Sequence, residues 1–201
     1  LAVWEGGMAF HGGLIGSMIA CALYAYNKKL PVRTFFDIVS LPAPLGLMLG
    51  RIGNFINGEL WGKETDGTWG FSFVEGISAS GEPVYGPLRH PTMLYEGFLE
   101  GLLLFIILWV ATKYLTQLKD GSIGALFLIG YGCARVTVEF WRMPDAHIKY
   151  LLGTDWLTMG HMLSGPMIIG GLVMLIMVNL MPLKESGHTD LDSSESLEQT
   201  P

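Results

Sequence analysis

Long apolar stretches alternate with short polar connections along this chain. A helix that crosses the hydrocarbon core of a bilayer needs roughly 20 residues, most of them apolar. Five stretches approach that length, at 10–26, 36–52, 92–112, 122–140 and 162–181. Because backbone polar groups inside a bilayer must be satisfied within the chain, the pattern predicts an all-α polytopic membrane protein with about five transmembrane helices.

Prolines and glycines refine this picture. Pro42 and Pro44 interrupt the second stretch, so we expect a kinked or broken helix there. Small residues four apart are typical of close helix packing in membranes. Three glycine pairs have this spacing: Gly12 and Gly16, Gly46 and Gly50, and Gly97 and Gly101.

Composition supports a membrane protein. Only 15% of the residues are charged and 50% are hydrophobic, whereas soluble domains carry about 25% charged residues. No basic stripe indicates a nucleic-acid partner. Much of the net charge of -6 comes from the acidic segment 184–201, which has few apolar residues. We predict that this segment is a disordered cytoplasmic tail.

The connections predict an orientation. The short loops 27–34 and 113–121 carry plain basic residues, which favour the cytoplasmic side of a membrane. The long connection 57–91 is then extracytoplasmic. Its alternating segment WGFSFV and its turn-forming glycines and prolines predict a small head with one or two hairpins. The membrane domain as a whole covers residues 1–183.

Three arginines, Arg51, Arg135 and Arg142, lie at the ends of apolar stretches. A guanidinium held near hydrocarbon costs a few kcal/mol or more, so it normally has a partner or a function. We therefore predict a membrane-embedded site for an anion such as a lipid phosphate. On a helix, Arg135, Glu139 and Arg142 share one face, and Glu139 is predicted to orient the two arginines. The alternative is an internally paired stripe at the helix end.

Further polar residues lie near these arginines in the sequence. Arg51 and Asn54 share a helical face and offer cationic and amide donors, although an interfacial position alone would explain them. His11 precedes two glycines and is the candidate proton acceptor, with a packed or interfacial histidine as the alternative. Glu96 and Glu100 are one turn apart, and for them structural pairing and catalysis remain equally open.

The chain lacks the motifs of common soluble enzyme classes. It has no GxSxG, HExxH, phosphate-binding loop or dinucleotide fingerprint. If it is an enzyme, the nucleophile therefore belongs to the substrate. An anion or lipid transporter subunit would also place arginines in a bundle, but it predicts internal repeats, and the five stretches carry different motifs. Another phospholipid-dependent transferase is not excluded by these residues.

Several long motifs occur together: HGGLIG at 11–16, RIGNFINGELWG at 51–62, RHPTMLYE at 89–96, YGCARVTVEFWRMPD at 131–145 and LTMGHMLSGPMI at 157–168. In this order they resemble the phosphatidylglycerol–prolipoprotein diacylglyceryl transferases. The resemblance runs from about Met8 to Met181. It implies an enzyme of the bacterial inner membrane with seven spans, two of them before residue 1, and a cytoplasmic C-terminus.

The resemblance also implies a reaction. Phosphatidylglycerol donates its diacylglyceryl group to the lipobox cysteine thiol of a prolipoprotein signal peptide, which yields a thioether and glycerol 1-phosphate. No metal or organic cofactor is expected. The catalytic residues carried over by motif are His11, Arg51, Arg135 and Glu139. The residues carried over for binding phosphatidylglycerol are Arg51, Asn54, Glu59, Gly62 and Arg142.

Roles within this set are hypotheses. We expect Arg51 and Arg135 to stabilise the charge on the departing glycerol phosphate. His11 is the first candidate for the general base and Glu139 is the second. The chain departs from the family pattern at His161, where a glutamine is expected. A neutral imidazole can replace an amide as a hydrogen-bond partner, so we expect the change to be tolerated.

Overall fold

The computed structural model describes residues 10–115, 117–143 and 157–180, with side chains in the first helix described at Gly16 and from residue 19 onward. The α-helices in these ranges are α1 (Phe10–Asn27), α2 (Val32–Ser40), α3 (Ala43–Asn57), α4 (Thr92–Glu96), α5 (Leu104–Tyr114), α6 (Ser122–Glu139) and α7 (Met159–Leu180). A π-helical segment, Gly97–Leu103, joins α4 to α5. Two strands, β1 (Phe71–Ile77) and β2 (Pro83–Arg89), follow α3.

Four helical stretches in the described residues are long and apolar enough to cross a membrane: Val32–Asn57, Thr92–Tyr114, Ser122–Glu139 and Met159–Leu180. The prediction of a helical polytopic membrane protein is thereby confirmed. The first predicted span, 10–26, does form a helix, α1, but this helix is not among the four. Many apolar side chains on these helices are exposed, such as Ile107 at 51% and Ile169 at 63%, as expected for surfaces that face lipid.

The second span is broken where the prolines predicted a break. Helix α2 ends at Ser40, and α3 begins at Ala43 with Pro42 at its N-cap and Pro44 in its first turn. A proline at this position interrupts no helical hydrogen bond, since the first N–H groups of a helix have no acceptor within it. The prolines thus end one helix and start the next within one stretch that spans 26 residues.

Among the predicted glycines whose surroundings the structure describes, Gly97 and Gly101 make the expected contact. A side-chain carbon at Gly101 would lie 2.6 Å from the Met48 Cβ of α3, and one at Gly97 would lie 3.4 Å from Arg51 Cβ. These glycines let the π-helical segment pack closely against α3. The prediction is wrong for the other positions described, because such a carbon would meet nothing within 4 Å at Gly16, Gly46 or Gly50.

The two basic loops lie at one end of the bundle, as predicted. Thr34 Oγ1 donates a 2.6 Å hydrogen bond to the Asp120 carboxylate, which joins the loops directly. The Asp37 carboxylate accepts the N–H groups of Gly121 and Gly124 at 2.6 and 2.7 Å and so satisfies the start of α6. The contacts place these loops together, while their cytoplasmic location remains a prediction.

The connection between α3 and α4 forms the predicted hairpin. Strands β1 and β2 pair antiparallel, with Phe71 opposite Arg89 and Ile77 opposite Pro83. The polypeptide before the hairpin also reaches the end of α6, because Lys63 Nζ donates to the Phe140 carbonyl at 2.9 Å. The C-terminal ends of α3 and α6 and the start of α4 therefore meet beside the hairpin.

Candidate functional site: an arginine cluster around Glu96

Three arginine side chains converge on one carboxylate beside the hairpin. Arg51 Nε of α3 forms an ion pair with Glu96 Oε2 at 2.7 Å. Arg135 of α6 and Arg142 donate hydrogen bonds to Glu96 Oε1 at 2.8 and 2.9 Å. The Glu96 side chain is 1% exposed. The pairing of Glu96 with arginines of other elements, left open by the sequence, is thus observed.

A second acidic side chain lies behind this contact. Glu100, in the π-helical segment, is 0% exposed and lies 3.9 Å from Arg51 and 3.8 Å from Arg135. Neither of its carboxylate oxygens accepts a hydrogen bond from the described residues. π-Helical segments are rare and frequently occur at functional sites. Here the segment brings a second buried carboxyl group close to the guanidinium groups.

Glu139 orients one of the two predicted arginines. Its Oε2 forms an ion pair with Arg135 Nη2 at 2.8 Å, one helical turn away. Its Oε1 accepts a 2.6 Å hydrogen bond from Thr158 Oγ1, just before α7. Helix α6 ends at Glu139, so Arg142 reaches the cluster from the turn after the helix and is held by Glu96. Glu139 therefore pairs with Arg135 as the spacing predicted, whereas Arg142 pairs with Glu96.

Gly62 positions Arg142 through the backbone. The two residues form an isolated antiparallel bridge, and Gly62 N–H donates to the His90 carbonyl at 2.8 Å. A side-chain carbon at Gly62 would lie 2.5 Å from both the Trp141 carbonyl oxygen and Thr92 Cγ2. Only glycine fits where these three segments cross. The sequence singled out Gly62 for substrate binding, and the structure places it where it holds the segment that carries Arg142.

Asn54 and Glu59 lie together at the end of α3. Glu59 Oε1 accepts hydrogen bonds from Asn54 Nδ2 at 2.9 Å and Asn57 Nδ2 at 3.3 Å. Gly58, with φ of 66°, turns the chain at the helix end and allows this return. In the described part of the chain, no ion pair links Glu59 to the arginines around Glu96. These residues form a separate exposed polar group beside the cluster.

Comparison with known proteins agrees with the motifs. The sequence profile of the prolipoprotein diacylglyceryl transferase family matches residues 1–177. The chain belongs to this family. It is 44% identical over 187 residues to the phosphatidylglycerol–prolipoprotein diacylglyceryl transferase of Mesorhizobium japonicum, covering 92% of this chain and 62% of that protein. It is 48% identical over 174 residues to the enzyme of the same name from Rhizobium leguminosarum bv. trifolii, covering 86% of this chain and 58% of that protein.

The chain therefore spans about three fifths of the length of these relatives: 62% of the first and 58% of the second. Their shared name describes transferases that use phosphatidylglycerol and prolipoproteins. The anion site predicted from the arginines fits a family whose named lipid carries a phosphate. The resemblance drawn from the sequence motifs is confirmed at the level of the family.

The structure describes the two histidines of the family motifs to different extents. His11 lies near the start of α1, but its side chain falls outside the described residues, so its role as a base stays a prediction. His161, where the resemblance led us to expect a glutamine, places Nδ1 3.0 Å from Thr158 Oγ1. It therefore does act as a hydrogen-bonding residue. Sequence reasoning missed Thr158, because a lone threonine before an apolar run carries no signal beyond that of a helix cap.

Proposed function

We propose that this chain is part of an enzyme that moves the diacylglyceryl group of phosphatidylglycerol to the lipobox cysteine thiol of a prolipoprotein. The products are a thioether-linked prolipoprotein and glycerol 1-phosphate. The observation that carries the proposal is the gathering of three arginines around Glu96 among apolar helices. The enzyme acts in the bacterial inner membrane, with the hairpin outside and the C-terminus in the cytoplasm.

The arginine cluster is suited to a phosphate. A phosphate diester resembles a carboxylate in offering charged oxygens to forked guanidinium donors. Glu96 already holds the three arginines together, and their side chains keep 14–21% of their surface exposed. A lipid phosphate can therefore approach the outer side of the arginines while Glu96 and Glu100 hold them from the buried side. Asn54 and Glu59 contribute to lipid binding at the rim of this site, and Gly62 contributes indirectly by holding the segment that carries Arg142.

The reaction is a displacement at one carbon of phosphatidylglycerol. This is the carbon of the diacylglyceryl group that is bonded to a phosphate oxygen. The thiol sulfur forms a bond to this carbon, and the carbon–oxygen bond breaks with both electrons going to the phosphate. Arg51 and Arg135 stabilise the negative charge that the departing glycerol phosphate gains. Arg142 helps to hold the lipid phosphate in place before the reaction.

The thiol proton needs an acceptor, because a cysteine with an ordinary pKa of about 8.5 is mostly protonated at neutral pH. His11 is the first candidate and Glu139 is the second. In the structure, Glu139 is engaged by Arg135 and Thr158, an arrangement that supports a role as the counter-ion of Arg135. We therefore favour His11 as the base. No metal or organic cofactor takes part in this scheme.

The experiment that tests this proposal is complementation in bacteria depleted of their own diacylglyceryl transferase. A chimera joins this chain to the region that precedes it in the M. japonicum relative, and the chain alone is expressed beside it. The readout is the mass of a reporter prolipoprotein with a lipobox cysteine. We expect the chimera to add one diacylglyceryl group, and the Arg135→Ala chimera to add at least about a hundredfold less, as when a key electrostatic donor is removed.

The matched control is Arg33→Ala. Arg33 is exposed near the start of α2, at the end of the bundle where the two basic loops meet, so its removal is expected to leave the added mass unchanged. An inactive chimera that is well expressed and inserted in the membrane would refute the transferase proposal. It would favour an anion or lipid transporter subunit, which uses intramembrane arginines without chemistry.

A further inference from the structure

The carboxylate of Glu139 is held on both oxygens by different elements. Arg135 forms an ion pair with Oε2 at 2.8 Å, and the Thr158 hydroxyl donates to Oε1 at 2.6 Å. Glu139 and Thr158 are 5% and 4% exposed as residues. Because both contacts are buried, water does not readily replace either of them. The carboxylate therefore has one favoured orientation, and that orientation depends on Thr158.

The direction of the hydrogen bonds can be worked out from the donors. A threonine hydroxyl has one hydrogen, and the short contact assigns it to the Glu139 carboxylate, which accepts only. With the hydroxyl hydrogen donated to Glu139, the 3.0 Å contact between Thr158 Oγ1 and His161 Nδ1 is a hydrogen bond in the tautomer whose Nδ1 carries the proton and donates it. The Thr158 N–H also lies 3.5 Å from Nδ1, but this longer contact needs an unprotonated nitrogen and is the weaker of the two.

The start of α7 encloses the carboxylate from the remaining side. A side-chain carbon at Gly160 would lie 2.5 Å from Glu139 Cδ and Oε2. The backbone of α7 thus lies directly against the carboxyl group. The His161 ring packs edge-on against Phe140, with ring centroids 5.3 Å apart. The Glu139 carboxyl group is thus surrounded by residues at the start of α7: Thr158, Gly160 and His161.

We propose that Thr158 and His161 are positioning residues for the proposed transfer reaction, a role that rests on the function proposed above. A chain of hydrogen bonds runs from His161 Nδ1 through the Thr158 hydroxyl to Glu139. It holds Glu139 in the orientation that pairs with Arg135, and so aims Arg135 at Glu96 and at the lipid phosphate.

The first test replaces the hydroxyl. In the active chimera, Thr158→Val is expected to lower kcat about tenfold or more, in line with the loss of a hydrogen bond to a charged group. Thr158→Ser keeps the hydroxyl and is expected to stay within about threefold of the parent. The matched control is Thr137→Val, because Thr137 is exposed on the same helix as Glu139 and its hydroxyl bonds the Cys133 carbonyl of its own helix.

The second test asks whether Thr158 acts through Glu139. In a Glu139→Gln background, the effect of Thr158→Val is expected to shrink to about twofold or less, since coupled residues are non-additive. A threonine that only supports the fold would keep its full effect in that background. The proposal would be overturned if Thr158→Val lowered kcat tenfold in the Glu139→Gln background as well, or if Thr158→Val alone left kcat unchanged.

The His161 side chain is tested with two variants. His161→Gln retains a hydrogen-bond donor and is expected to be active, whereas His161→Leu is expected to lower kcat as much as Thr158→Val does.

A third measurement does not require activity. Nitrogen-15 NMR of the histidine-labelled chimera in lipid nanodiscs reports which ring nitrogens of His161 carry a proton. We expect a protonated Nδ1 in the parent protein and a decrease in this signal in Thr158→Val. An unprotonated Nδ1 in the parent would overturn the hydrogen-bond chain. If the chimera were inactive but Nδ1 were protonated, the transferase proposal would fail while the contact itself stood.

Discussion

Charged residues have different surroundings at the two ends of the helix bundle. We call the end with the loops 27–34 and 113–121 the loop end, and the end beside strands β1 and β2 the hairpin end. At the loop end, Arg33 is exposed, and no ion pair joins it to another residue in the described part of the chain. At the hairpin end, Arg51, Arg135 and Arg142 are largely covered and meet at one buried carboxylate. Solvated arginines contribute little to stability. Buried ones constrain the structure around them, since each needs a partner.

Acidic residues differ in the same way. At the loop end, Asp37 binds two backbone N–H groups at the start of α6, and this serves the helix alone. At the hairpin end, Glu96, Glu100 and Glu139 surround guanidinium groups that come from three parts of the chain. The charges of the loop end therefore stabilise a helix terminus, while those of the hairpin end gather three guanidinium groups around buried carboxylates.

The largest expected effect comes from removing the centre of the hairpin-end cluster. Glu96→Gln leaves three guanidinium groups with one fewer buried counter-ion, and we expect it to lower the free energy of unfolding by about 3–5 kcal/mol. Transfer activity should be lost as well. Thermal unfolding in detergent and the lipobox reporter measure the two effects.

Glu82→Gln is the control for that change, because Glu82 is exposed between the strands of the hairpin. Its unfolding free energy is expected to stay within about 0.5 kcal/mol of the parent protein. If Glu96→Gln behaved like Glu82→Gln, the difference drawn between buried and solvated charge in this molecule would be wrong.

A smaller effect is expected where the backbone positions the cluster. Gly62→Ala would place a carbon against the Trp141 carbonyl and Thr92, so we expect a loss of about 1–3 kcal/mol from overpacking. Activity should fall with it, because Arg142 is displaced. Gly46→Ala offers a matched comparison on an open helix surface and should be neutral or slightly stabilising. Equal melting temperatures for the two variants would contradict the crossing described at Gly62.

The smallest expected effect lies at the loop end. Asp37→Ala removes the acceptor of two N–H groups at the start of α6, and a loss of about 0.5–2 kcal/mol is expected. Asp66→Ala changes an exposed aspartate near the hairpin and is the control. Thermal unfolding of both variants in detergent measures the effect. A loss in Asp37→Ala as large as in Glu96→Gln would show that the loop end is as tightly coupled as the hairpin end.

Local pattern was enough to predict most of the helices and strands. Apolar length predicted the spans, Pro42 and Pro44 predicted the break between α2 and α3, and the turn residues between 57 and 91 predicted the hairpin. Each of these features depends on residues that are close together in the sequence, so it can be predicted without knowledge of the tertiary fold. The glycine spacing was less informative, because four-residue spacing defines a helical face but does not say whether another helix lies against it. Gly97 and Gly101 face α3, and Gly46 and Gly50 face open space.

Motifs and apolar length are local properties, so the amino-acid sequence was enough to predict the family and the membrane character, which the family match and the apolar helices confirm. The anion site at the arginines stays a prediction. The partners of the buried groups are visible in the folded structure alone. That three arginines share Glu96, that Gly62 holds the segment carrying Arg142, and that Thr158 engages Glu139 all depend on contacts between distant segments. A buried charge is stabilised by whichever group the folded helices bring within hydrogen-bonding distance, and for partners on different segments no spacing along the chain specifies that group.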